Sequence, residues 1–259
     1  MILTADYHTH TTYSHGKGSV MDNAEAAKKA GLKEIAISDH GFGQLAFGLK
    51  KKDLDSLIKD CKNATEVTGV KTLVGIESNF LSDGGKCDLI EDLYDKFDVF
   101  LAGAHKFVAY KTGTFFKYFV PTLFDGTFKI KPSKGLIKET TGMYINVIKN
   151  NPVDAITHLN FCCFADAYEV AKAAADYGTY IEINAKKIHL SEEELEKILK
   201  TDARFILSSD AHTPGRVGEV SLALKVAEAA GVPADRIDNV DGRTPNFRFA
   251  AFKSAAGRS

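Results

Sequence analysis

Two pairs of potential metal ligands stand two residues apart, His8 with His10 and Asp210 with His212. If each pair ends a strand, period-two geometry turns both side chains to one face, where two donor atoms can reach one ion. A lone pair of this kind is weak evidence for a metal. Two pairs on the first and last strands of a closed sheet would present four ligands to a common centre. Asp39-His40, Glu77, His105 and His158 add imidazole and carboxylate groups between them. Seven of the eight histidines, His8, His10, His15, His40, His105, His158 and His212, fall at or just after the ends of short apolar runs, leaving His189 as a solvent-facing residue. Imidazole, carboxylate and water suit zinc, manganese or iron. The four cysteines, Cys61, Cys87, Cys162 and Cys163, have no CxxC spacing and read as structural thiols.

Positioning such a set requires a regular frame. Short apolar runs alternate with amphipathic segments along nearly the whole chain, the rhythm of parallel strands joined by crossover helices. Strands are expected at 2–7, 34–38, 72–77, 99–104, 155–158, 180–184 and 205–209, with 237–240 a doubtful eighth. Helices are expected at 19–30, 53–68, 89–97, 137–149, 167–177, 191–199 and 217–230, and Ser191 with Glu194 forms a capping box that marks one start. His8, His40, Glu77, His105, His158, Asn184 and Asp210 all lie at the C-terminal ends of successive strands, the edge where parallel barrels gather their chemistry. The expected fold is therefore an α/β barrel of seven or eight units, with an open doubly wound sheet as the second choice.

At 259 residues the chain can form one large α/β domain, read here as 1–259, or two modest ones. Lys+Arg 33 against Asp+Glu 34 provides no global field for nucleic acid or an anionic membrane, so any anion specificity must be local. No basic flank with a long apolar run opens the chain and no apolar stretch reaches about 18 residues, so a cytoplasmic protein with no membrane span is expected. One interval, about 106–136, is too long for an ordinary βα connection and reads as a lid-like insertion. It carries Phe107, Tyr110, Phe115, Phe116, Tyr118, Phe119, Phe124 and Phe128 among lysines, which suits a flap over a phosphorylated substrate, or else a contact between copies of the chain.

The segments DYHTHTTYSHGKGS, AISDHG, GIESN, AGAHK, ITHLN, YIEIN and SSDAHTPGRVGE together resemble the PHP family, the polymerase and histidinol phosphatase superfamily, and in particular its small tri-metal phosphoesterases. They run from residue 6 to residue 219 and so cover most of the chain. The resemblance implies a distorted TIM-like (β/α)7 barrel with the metal site at the C-terminal ends of the strands and three divalent ions, zinc first, manganese or iron as alternatives. Carried over residue by residue, one ion would be held by His8, His10, Glu77 and Asp210. A second would share Glu77 and take His105 and His158, and the third would use His15, His40 and His212. A bridging role suits Glu77, because each carboxylate oxygen can serve a different cation. The chain departs from many relatives at His158, where HLN replaces His-Pro.

Clustered divalent ions turn water into hydroxide near neutral pH and stabilise a leaving oxygen. The expected reaction is in-line attack of a metal-bridging hydroxide on a small phosphomonoester, with Glu77 and Asp210 catalytic as well as ligating. No GxSxG or GxxxxGK[ST] motif supports a different route. Arg216 is the first choice for a phosphate clamp, against an ion pair with Glu219, and Lys106 the second. Asn184 could orient water or an imidazole, Asp39 could accept from a ligating imidazole, and Glu182 reads as a core or rim carboxylate. Histidinol phosphate is the substrate that the resemblance suggests, although no residue specifically matches its imidazole. The competing readings are a phosphodiesterase or nuclease on short nucleotides or DNA, an amidohydrolase-type enzyme, and a non-catalytic metal-binding accessory protein. The expected partner is a small phosphorylated metabolite rather than nucleic acid, with a homo-oligomer left open.

Overall fold

The computed structural model describes residues 1–110, 113 and 132–257. Seven strands, β1 (Ala5–Thr9), β2 (Glu34–His40), β3 (Lys71–Asn79), β4 (Val99–Gly103), β5 (Ala155–Ile156), β6 (Tyr180–Asn184) and β7 (Phe205–Ser208), pair in parallel and in chain order. The two ends of the sheet meet where Thr9 bridges Ala211 and the His10 amide donates to the Ala211 carbonyl at 2.8 Å. The result is a distorted, nearly closed (β/α)7 barrel. The doubtful eighth strand is instead a joining peptide that makes isolated bridges, Ile237 to Phe205 and Val240 to Leu3. Asn239 stitches the seam, its amide donating to the Ala5 carbonyl at 2.9 Å and the Leu207 carbonyl at 2.6 Å.

Alternation along the strands divides the barrel interior into layers. Ala5, Tyr7, Ala36, Val99, Leu101, Ala155, Tyr180 and Ile206 form an apolar plug at the N-terminal end. Two and four residues further along the same faces come Ser38 and His40, Glu182 and Asn184, and Ser208 and Asp210, so one strand face changes from plug to ligand. In β1 that alternation alone would turn His8 away from Tyr7's side. The pairing with β2 shifts register between Asp6 and Thr9, and the shift lets Tyr7 pack in the plug while His8 and His10 still reach the ligand layer.

The connecting helices are α1 (Val20–Lys29), α2 (Leu54–Thr68), α3 (Lys134–Asn150), α4 (Ala167–Tyr177), α5 (Glu192–Ile198) and α6 (Ser221–Ala229). Ser19 with Asp22 and Ser191 with Glu194 close capping boxes on α1 and α5. Their apolar faces bury Ala24, Ala27, Leu57, Val147, Val170 and Leu195 against the outside of the sheet. Two expected helices differ. The 89–97 segment tightens to a 3-10 helix at Glu91–Lys96, and the 217–230 segment is interrupted by a turn, becoming helical only at Ser221 after a 3-10 turn at Pro214–Arg216. A further helix, α7 (Arg248–Ala255), was not anticipated, having almost no amphipathic signal; Phe247 and Phe249 nevertheless cover the bottom of the barrel, packing on Tyr7 and Phe100. The cysteines are free and buried. Among the described residues no helix is long and apolar enough to cross a membrane. The expected insertion at about 106–136 lies largely outside the described residues.

Candidate metal centre

Glu77 ends its inward run on β3, and four imidazoles come within 3.2 Å of its carboxylate, with His10 Nε2 a fifth at 3.7 Å from Oε2. His158 Nε2 lies 2.6 Å and His105 Nε2 3.0 Å from Oε1, His8 Nε2 3.2 Å from the same oxygen, and His40 Nδ1 2.9 Å from Oε2. Asp210 forms a second focus, with Oδ1 3.4 Å from His10 Nε2, 3.9 Å from His8 Nε2 and 3.2 Å from His212 Nδ1. Four groups of ligand atoms lie within 4.8 Å of one another: His8, His10 and Asp210; His8, Glu77 and His158; His40, Glu77 and His105; and His10, His40 and His212. The grouping differs from the expected one. His105 and His158 both face Glu77 but fall in separate groups, and His10 joins His40 and His212. His15 is in none of the four groups; its ring stacks on His40 at 5.0 Å and meets the edge of His212 at 4.2 Å.

Buried polar atoms normally find partners. Here His8 Nε2, both nitrogens of His10 and of His105, His40 Nδ1, His158 Nδ1 and Glu77 Oε2 are buried without a hydrogen bond. His40 Nδ1 and Glu77 Oε2 are close yet misaligned, as two lone-pair donors would be when aimed at a shared centre rather than at each other. Leaving so many polar atoms unmatched would cost about 1–3 kcal/mol each. Coordination of divalent cations would answer that cost, and the donor set of imidazoles and carboxylates fits them.

Protonation agrees with that role at the carboxylates and at His10, His15 and His40, whereas at His8 and His158 burial is outweighed by Glu77 and Glu182, which raise both imidazoles. Burial opposes the ionised forms of Glu77 and Asp210, but the surrounding imidazoles, His105 and His8 for the first and His8 and His10 for the second, hold both well below the ordinary carboxylate range. Burial first, then neighbouring imidazoles, pushes His10 well down and His15 to about 4; burial also takes His40 to about 4. Ionised carboxylate and neutral imidazole are the states that a cation requires.

A second ring of residues orients these ligands. Glu182 Oε1 lies 2.6 Å from His8 Nδ1, while Oε2 accepts from the His158 amide at 2.7 Å and from Asn184 at 3.0 Å. Glu182 is thus no bystander of the rim; a buried carboxylate beside HxH is the signal that marks it. Asn184 also donates to Asp210 Oδ2 at 3.2 Å. Asp39, by contrast, touches no imidazole: it accepts from Thr11 N at 2.7 Å and from the hydroxyls of Thr11 and Ser14, fixing the loop that carries His15. Gly16 lets that loop close, since a Cβ there would stand 2.5 Å from the His10 carbonyl oxygen. His158 (φ 28°) and Asp210 (φ 49°) both adopt left-handed backbone, a conformation that concentrates at functional sites.

The ligands floor a cavity of ≈ 450 Å³ whose walls include Phe47, Phe107, Phe161, Lys106, Lys186 and Lys187. Lys186 Nζ reaches Asp210 Oδ1 at 3.2 Å and His212 Nδ1 at 3.0 Å. It was missed in the sequence because a lysine after a strand usually reads as a solvated end. Arg216, the expected clamp, is exposed on its 3-10 turn and does not line the cavity; its charge instead helps lower the Glu219 carboxyl, after the Ser221 hydrogen bonds. His189, expected to face solvent, is in the cavity wall with its ring 4.9 Å from Phe161.

A parallel barrel with unpartnered imidazoles and carboxylates at its C-terminal edge has the donor set of a metal-binding protein. The PHP domain family matches residues 6–186. A probable phosphatase of Thermoanaerobacter sp. (strain X514) is 30% identical over 93% of this chain and 92% of its own length. A probable phosphatase of Shewanella sp. (strain MR-4) is 29% identical over 92% of this chain and 88% of its own. Among solved structures, the histidinol phosphate phosphatase of Lactococcus lactis subsp. lactis Il1403, complexed with Zn, L-histidinol and phosphate, superposes with a TM-score of 0.60 at 16% identity, over 95% of this chain and 100% of that one, a likeness of fold. The chain belongs to the PHP domain family, and within it is a hydrolase of phosphoric esters.

Proposed function

We propose that this protein is a phosphatase of small phosphomonoesters, that residues 1–259 act as one domain, and that it works with three divalent ions, zinc first and manganese or iron as alternatives. The observation that carries the reading is the layer of unpartnered donor atoms around Glu77 and Asp210 on the floor of a half-open, lysine-bearing cavity. The ligands are His8, His10, His15, His40, Glu77, His105, His158, Asp210 and His212. When bound, such ions lower the pKa of water and offset charge on phosphoryl and leaving oxygens.

The remaining chemistry belongs to the chain. Glu182 holds the His8 ring and the His158 backbone in place. Asn184 donates to both Glu182 and Asp210, so one amide links the two carboxylates. Lys186, beside Asp210 and His212, is placed to meet a phosphoryl oxygen and takes the clamp role expected of Arg216; Lys106, the second choice, also lines the cavity. A cavity of ≈ 450 Å³ has the capacity of a small-metabolite site rather than of a track for a polymer.

On metal-loaded protein, phosphate release is measured for a monoester panel that includes histidinol phosphate and nucleotides, and nitrophenolate release for bis(4-nitrophenyl) phosphate as the diester. The expected result is a kcat/KM for the best monoester at least about tenfold above the diester. A diester preferred over every monoester would overturn the reading.

A further inference from the structure

Beyond the clamp position of Lys186, the cavity offers two more ammonium groups, Lys106 and Lys187, neither ion-paired among the described residues. The carboxylates in the lining, Glu77 and Asp210, are both engaged by imidazoles. Three phenyl rings, Phe47, Phe107 and Phe161, supply the apolar part of the wall, and Phe107 and Phe161 are 61% and 40% exposed to it and to solvent. Their positions are set by the chain: Phe107 takes a left-handed backbone (φ 58°), and the Leu45 amide donates to its carbonyl at 2.9 Å. In a chain whose formal charge is -1, three lysines around one cavity are a local excess of positive charge.

We infer that the substrate carries a second anionic group, a carboxylate or a further phosphate, on an apolar or aromatic body, and no ammonium group. This rests on the phosphatase reading and narrows it. One charge of the substrate meets the metal ligand layer and Lys186; the second meets Lys106 and Lys187; the body between them lies against the phenyl rings. An ester bearing a protonated amine, histidinol phosphate included, would bring its cation to a wall of lysines where each lining carboxylate is already engaged. Low dielectric in such a cleft strengthens both the attraction and the repulsion.

The test compares phenyl phosphate, 4-carboxyphenyl phosphate, 4-phosphonophenyl phosphate and 4-(aminomethyl)phenyl phosphate on metal-loaded protein. The expected kcat/KM of at least one of the two dianion-bearing esters is about tenfold above phenyl phosphate, and that of the aminomethyl ester about tenfold below it. The carboxylate and phosphonate arms tell the two anion types apart. In Lys187→Met the anionic-to-neutral ratio falls toward one, and Lys187→Arg keeps most of it. A wild-type ratio at or below one, or an aminomethyl ester preferred over phenyl phosphate, overturns the inference and leaves the phosphatase reading standing. If no ester is turned over, the phosphatase reading fails. Calorimetric affinities of the matching benzylphosphonates then decide this inference by the same order.

Discussion

Glu77 meets four imidazoles because it ends the inward face of the third of seven strands, with β1 and β2 delivering His8 and His40 on one side and β4 and β5 delivering His105 and His158 on the other. Such a carboxylate acts through its neighbours' orientation as well as its own charge. Glu182→Gln keeps the shape but weakens the hold on His8 and the His158 amide, so metal affinity or activity is expected to drop about 10–100-fold. Competition with a chromophoric chelator measures this; unchanged affinity and turnover would show that the His8 contact is structural only. The donor residues that converge on Glu77 and Asp210 were legible in the sequence, because HxH, SDH and DAH concentrate them at strand ends. Which donors lie side by side was not, since ring directions depend on the register shift in β1 and the left-handed backbone at His158 and Asp210. Lys186 and His189 escaped for a simpler reason: their role comes from the cavity they face, which no local spacing encodes.

Elements carry the site by rigid placement, and two of them are open to direct tests. The loop after β1 folds back so tightly that Gly16→Ala would press a methyl group into the His10 carbonyl, moving His15 away from His40 and His212. Lower metal content with the remaining fold intact by circular dichroism is expected; full metal content would show that His15 is dispensable. Just before β5, Asp154 is fully buried and accepts from the amides of Phe100 at 2.9 Å and Phe249 at 2.8 Å, tying β4 and α7 together. Burial, working against those backbone donors, pushes its carboxyl up to about 7 from 3.8. The folded protein therefore holds a proton that an unfolded aspartate has released. The stability linked to that proton is present below pH 3.8 and declines as pH rises towards 7, at up to about 1.4 kcal/mol per pH unit. Denaturant titrations between those limits should show this slope and lose it in Asp154→Asn; an unaltered slope would refute the assignment. Strand and helix order was readable because apolar runs, capping boxes and turn glycines agree locally. The joining peptide around Asn239 and helix α7 were not, because their place is set by a seam and a barrel floor that only the closed sheet creates.

For the whole molecule, the barrel keeps an apolar plug at one end and unpaired donor atoms at the other, so bound cations would add to its stability as well as its chemistry. Ions present at 100 times their dissociation constant would add about 2.7 kcal/mol per site, and stripping them should lower Tm by at least roughly 5 °C. Differential scanning with and without chelator followed by dialysis reads this directly, and an unchanged Tm would mean that the ligand layer is stable unaided. The central claim, that the ligand layer holds ions that carry out phosphate ester hydrolysis, is tested most directly by metal content per chain measured alongside phosphate release in one preparation, for the natural protein and for Asp210→Ala. The account predicts about three ions per chain with monoester turnover, and a loss of both metal and turnover in the variant. Turnover that survives complete removal of metal, or a protein that binds no divalent ion, would contradict it.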